Sequence, residues 1–329
     1  MAALEQHRHP YHLNIVLRHR PAAHGLPPGI QPHAAHDLVY HRGKIVASLS
    51  FKNFYVGGAA AWNQAERDNI DGKLAAAMAD AQLNNVMAQY YPTGTAIVSA
   101  FLGSAILDGA PPNQIGKADV EAMASTLFTS GQLAGVDLAN SVCNFVLPHG
   151  TILTDNGGAQ TGGTAETGAR RSPGHPEAAA SSLTGLGGYH GSVHVQAANG
   201  SAAIVYYAVG VFSEQLPNGT TNGIVAFDQG WKNVVATFYH ELNEARTDAD
   251  VEDAIRAGSS PTADSFLGWV SAQGEECGDF PVFEANPLTE VFQEVPLADG
   301  TGTVPVQFMY SNAVHGPQGP VPAPLPSLL

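Results

Sequence analysis

The apolar residues of this chain fall into short blocks whose spacing alternates between strand-like and helix-like. Two β-like runs, "LNIVL" and "GKIVASLSF", flank a His- and Pro-rich connector at 21–41. Next, the alanines and spaced apolar residues of "AWNQAERDNIDGKLAAAMADAQLNNVMAQYY" predict one or two helices. "GTAIVSAFLGSAIL" predicts a pair of strands, "KADVEAMASTLFTSGQLA" a helix, and "CNFVLPHGTIL" a buried strand running into a loop. From 154 to 188 bulky apolar residues nearly vanish, and burial there cannot offset the entropy of ordering, so a mobile loop is expected. "GYHGSVHVQ" and "AAIVYYAVGVF" then read as strands around an Asn-Gly turn at Asn199 and Gly200. The expected organisation is an N-terminal strand and His/Pro-rich segment at 1–44, a single domain at 45–315, and a Pro-rich tail at 316–329, extended or disordered.

One block differs from the others because its polar side carries chemistry. On a helix at about 100° per residue, residues 231–246, "WKNVVATFYHELNEAR", place Trp231, Val234, Phe238, Leu242 and Ala245 on one face. His240 and Glu244 fall opposite, beside Asn233 and Thr237. Neighbours at i and i+4 stand about 5–6 Å apart, close enough to converge on one ion, although a plain solvated face has the same spelling. If the helix continues, Asp248 extends the series. Glu275, Glu276 and Asp279 in a Gly-flanked loop, and His190 and His194 in "GYHGSVH", are candidate ligands from outside the helix, which a closed site requires. An even offset puts the two histidines on one face of a strand.

With zinc in such a site, His240 and Glu244 ligate, and Glu241, rotated by about 100°, reaches a water as general base. A carboxylate in place of a second imidazole adds negative charge and makes the ion less electrophilic, and calcium suits so many oxygens as well. Tyr207 is a candidate donor to an oxyanion, as are Tyr206 and Tyr239, against the plainer alternative that all three pack in the core.

Composition narrows the partners. Asp and Glu outnumber Lys and Arg 29 to 14, a net charge of −15, which repels nucleic acid and suits cations. No apolar run approaches a membrane span or a signal peptide, so the expected setting is cytoplasmic or that of a mature exported form. Two cysteines, Cys143 and Cys277, make no disulfide framework, and Cys277 among acids is not expected to be a nucleophile. Eight of the fourteen histidines precede residue 42 at irregular spacing. The glycine-rich segments lack the context of a nucleotide loop.

An ordered set of segments resembles the exordium family, the phosphate-induced plant proteins, which also has bacterial members. The set runs "NFYVGGAAAWNQAERDNIDGKL", "LNNVMAQYY", "GGYHGSVH", "YHELNEARTD", "GEECGDF" and "VPVQFMYSNA", across roughly 45 to 315. The resemblance carries onto Tyr189, Gly191, His240, Glu241, Glu244, Asp248, Glu276, Gly278, Asp279, Gln307, Ser311 and Asn312. This chain departs from the family at His190, where a cysteine is usual, at Cys277 and Tyr310, and in lacking a cysteine-rich closing segment. The His-Glu-x-x-Glu helix is also similar to that of zincin metallopeptidases. That likeness implies an α/β (α+β) fold: a twisted mixed sheet, an active-site helix beneath it, and an edge strand able to bind extended substrate, here "AAIVYYAVGVF". The expected function is a zinc-dependent hydrolase of peptide or small amide substrates. The alternative is a non-catalytic binding protein of cell-wall type, stapled by zinc or calcium.

Overall fold

The computed structural model describes residues 25–155, 180–197, 200–258 and 260–329. Its centre is a five-stranded sheet of β1 (Ser48–Tyr55), β2 (Val98–Ile106), β3 (Ser141–Val146), β4 (Gly188–Gln196) and β5 (Ala202–Gly210). The spatial order is β2-β1-β3-β5-β4, with parallel pairing throughout except for β4, which runs antiparallel along the edge. Parallel strands covered on both faces read as continuous apolar runs, and all six residues of β3 are buried.

Strand parity divides the core in two. Phe51, Val142, Val146, Tyr206 and Ala208 face α1 (Gln64–Ala79) and α4 (Gly230–Thr247). On the other face, Phe54, Cys143, Phe145, Tyr207 and Val209 pack with α3 (Lys117–Thr129). The remaining helices are α2 (Ala81–Met87), α5 (Val251–Ala257) and α6 (Asp279–Glu284). Beyond α6 lie two antiparallel hairpins, β6 (Phe292–Pro296) with β7 (Thr303–Gln307), and β8 (Met309–Ser311) with β9 (Gly316–Gln318). The architecture is therefore mixed α/β, as the pattern predicts. Among the described residues no helix is long and apolar enough to cross a membrane.

Three expectations change. The run around Val98 is one strand rather than two, because Gly103, at φ 88°, accommodates a bulge against β1 without ending the pairing. "AAIVYYAVGVF" is an inner strand, hydrogen-bonded to β3 and β4 on its two sides, and the edge belongs to "GYHGSVHVQ". The C-terminal tail is extended and docked. Val321 is buried, and Val321, Leu325 and Leu328 donate their N–H groups to the carbonyls of Gln82, Asn85 and Gln89. Both cysteines are free and buried, with burial pushing the Cys143 thiol up to about 12. "LNIVL", Asn199 and most of the glycine-rich stretch lie outside the described residues.

Candidate metal centre

α4 does not present a solvated face. Val234, Phe238 and Leu242 bury against the sheet as the pattern predicts, but Asn233, Thr237, Glu241 and Glu244 on the polar side are buried as well. That side is roofed by β4, by the loop from Ser271 to Gly278, by α6 and by the end of β7, and it forms one wall of a cleft of about 230 Å³. The volume lies just below the ~300–1,000 Å³ of small-ligand sites, so a compact group or a short stretch of extended chain fits.

His240 and Glu244, one turn apart, meet as expected, with Nε2 of the histidine 2.9 Å from Oε2 of the glutamate. The imidazole is oriented by Gln307. The Gln307 amide nitrogen donates to the Gly278 carbonyl at 2.6 Å, so its oxygen faces His240 Nδ1 at 2.8 Å. An amide oxygen can only accept, so Nδ1 carries a proton, and Nε2, which without metal donates its own proton to Glu244, is the nitrogen a cation in the cleft would take, as in histidines that hold metals. Gly278 supplies space: a Cβ there would lie 2.5 Å from the His240 ring. The Gly278 N–H also donates to Glu244 Oε1 at 2.9 Å, fixing the second ligand.

His190 arrives from β4. It pairs across the ladder with Ala208, whose side chain faces α4, so the imidazole faces α4 too. Its Nδ1 lies 3.6 Å from Glu241 Oε2 and 3.8 Å from Glu244 Oε2, and Nε2 lies 3.5 Å from Glu276 Oε1. Asp279, at the start of α6, accepts the N–H of Glu276 at 2.8 Å and joins His240 and Glu244 within ligand reach. Among the described residues two donor groups result: His240, Glu244 and Asp279, and His190, Glu241 and Glu244.

The remaining expected residues lie elsewhere or play other parts. Asp248 is the C-cap at φ −146° and ψ 63°, so the helix stops one residue short of extending the series. Its Oδ1 accepts the Gly268 N–H at 2.7 Å, and the residue closes the floor behind His190 without joining either donor group. His194 shares the face of His190 but is 59% exposed and pairs with Asp253 at 2.8 Å. Glu275 turns outward to His36 and Ser271. Tyr207 is on the α3 face of the sheet, Tyr206 donates to Asp250, and Tyr239 is buried in the core cluster on the α4 side. None of these tyrosines lines the cleft. Ser311 and Asn312 bond to Gln89 and Leu38, which ties down the C-terminal hairpin. Tyr189 lines the cleft, and Gly191 packs against Tyr207.

Burial and mutual repulsion set the protonation of the cluster. Desolvation lowers His240 and His190, but hydrogen bonds and charges from Glu244 and Glu241 outweigh it, and both imidazoles are held above their ordinary value. Desolvation raises Glu241, Glu276 and Asp279, with the Glu244 charge adding to the rise in each. Burial takes Asp248 to about 7. Desolvation acts upward on Glu244 too, yet the facing imidazoles and the Gly278 N–H bring it below the usual carboxylate range. Glu276 Oε1 and Asp248 Oδ2 are buried and accept no hydrogen bond. The donor set thus fits a divalent cation that displaces the imidazole protons: two oriented imidazoles, converging carboxylates, and a buried oxygen short of donors.

Comparison with protein-family models, with curated proteins and with solved structures finds no match to this chain.

Proposed function

We propose that this chain is a metal-dependent hydrolase of peptide or amide bonds, with His240, Glu244 and Asp279 holding a zinc ion and Glu241 serving as general base. The observation that carries the reading is the convergence of four buried carboxylates, Glu241, Glu244, Glu276 and Asp279, and two imidazoles on one cleft. Among the described residues, no lysine or arginine forms an ion pair with any of these four carboxylates. Buried charges without compensation cost several kcal/mol each, so such a cluster calls for cations or protons. The antiparallel edge strand beside the cleft and the packing of α4 on the sheet agree with a zincin-like, exordium-like chain, and that relationship belongs to the proposal.

Zinc supplies Lewis acidity, polarising a carbonyl and lowering the pKa of water to about 7. The protein supplies placement and proton transfer. A Cβ on Gly188 would stand 3.0 Å from Glu241 Oε1, so the missing side chain at the start of β4 leaves the carboxylate open to the cleft. Burial raises Glu241 toward neutrality, which strengthens it as a base, and the proton it takes from water passes to the leaving amine. Among the described residues no strand pairs with the outer side of β4, so an extended substrate can lie along it with a carbonyl near Glu241.

A peptide library incubated with zinc-loaded protein and read by mass spectrometry tests this. Cleavage by the wild type, lost in Glu241→Gln with zinc retained, is expected; a zinc-loaded wild type that cleaves nothing contradicts it. The excess of carboxylates over imidazoles favours, as a second reading, a calcium staple in a binding protein. Under that reading Glu241→Gln leaves function intact and His240→Ala lowers the melting temperature.

A further inference from the structure

The two donor groups share one residue. Glu244 Oε2 is 2.9 Å from His240 Nε2 and 3.8 Å from His190 Nδ1, while Oε1 is occupied by the Gly278 N–H. Ligands about 2.1 Å from a tetrahedral zinc stand about 3.4 Å from one another. The 3.6 Å and 3.8 Å separations of His190 Nδ1 from Glu241 and Glu244 therefore need only small movements to enclose an ion. The outer nitrogen of His190 faces the Asp248 carbonyl at 3.4 Å, which can only accept, so Nε2 keeps a proton and Nδ1 is the nitrogen that faces the two glutamates, where a cation can replace its proton. Glu276 Oε1, buried and without a hydrogen bond, lies 3.5 Å from that imidazole.

We propose that a second divalent cation binds between His190, Glu241 and Glu244, shares Glu244 with the first, and inhibits hydrolysis by occupying Glu241. A carboxylate oxygen that ligates a cation is no longer free to take a proton from water. Excess metal thus switches the site off. The inhibitory half rests on the hydrolase reading, whereas the binding half depends only on the donors described.

Equilibrium dialysis of the full chain against a zinc series, with bound metal measured by elemental analysis, is expected to show one more equivalent in wild type than in His190→Ala or His190→Asn. Zinc taken up by the N-terminal histidines cancels in that difference. Cobalt(II) loading of the wild type gives a readout independent of the variants. Two ions sharing a carboxylate couple magnetically, so the electron paramagnetic resonance signal of the first equivalent diminishes as the second binds. Equal stoichiometry in folded wild type and variants, or uncoupled cobalt signals, overturns the second site. Cleavage should rise over the first equivalent of zinc and fall at least tenfold over the second; unchanged cleavage with the second ion bound overturns the inhibition. A chain that cleaves nothing contradicts the hydrolase reading and the inhibition with it, while dialysis still decides the second site.

Discussion

Gln307→Met separates the orientation of His240 from its identity. The substitution keeps length and approximate volume but removes both amide hydrogen bonds, 2.8 Å to His240 Nδ1 and 2.6 Å to the Gly278 carbonyl. Without the acceptor, the imidazole loses its preferred tautomer and ring angle. Loss of such an outer partner weakens metal binding about 10–100-fold, or roughly 1.4–2.7 kcal/mol. The unpaired Gly278 carbonyl adds a stability cost of about 1–3 kcal/mol that is present without metal. Zinc affinity measured by chelator competition at constant pH, with metal-free melting followed in parallel, distinguishes the two effects. A folded Gln307→Met protein that binds zinc as tightly as wild type would refute the reasoning, because the tautomer would then be set by something other than Gln307.

Three further outcomes follow from the same geometry. Glu241→Gln should retain one equivalent of zinc in the His240 group and lower kcat by about 10²–10⁴-fold, as loss of a general base does; a smaller loss in steady-state kinetics would assign the base elsewhere. In Gly278→Ala the new methyl meets the His240 ring at 2.5 Å, so zinc affinity should fall and the metal-free protein should lose about 1–3 kcal/mol from overpacking in denaturant melts. The pH dependence follows from the raised acids. Asp248 moves from 3.8 to about 7, so its contribution to metal-free stability is fully present below 3.8 and is lost as pH rises toward 7. Glu241, Glu276 and Asp279 act in the same direction, and Glu244, which is lowered, acts against them. The melting temperature of chelator-treated protein should accordingly drop between pH 5 and about 7.5, zinc should restore more of it at the upper end, and zinc uptake near pH 7 should release protons into a weakly buffered solution. Stability independent of pH together with uptake without proton release would count against the protonated cluster.

What was legible in the chain was local. Helical periodicity gave α4 its buried stripe and brought His240 and Glu244 together, since i and i+4 neighbours meet whatever the surroundings. The acidic loop also arrived where its residues were needed, but which of its acids turns inward was not readable: Glu276 and Asp279 face the cleft while Glu275 bonds His36. Distant pairing set the rest. Burial of the polar side of α4 depends on β4 and β7 closing over it. The placement of His190 depends on its register with Ala208, and the edge position of β4 on a sheet order that no spacing encodes. Tyr206 and Tyr207, adjacent in one strand, face opposite sides of the sheet, and only the packed sheet shows that Tyr207 belongs to the α3 side. The helix stop at Thr247 removed Asp248 from the ligand series because its side chain serves the Gly268 N–H.

Elemental analysis of the purified, untagged chain and of Glu244→Ala, the one residue common to both donor groups, tests the metal centre most directly. Wild-type protein should carry at least one equivalent of a divalent metal that survives gel filtration, and Glu244→Ala should lose it. A wild-type chain without bound metal, or a folded Glu244→Ala chain that keeps the full complement, would contradict the centre.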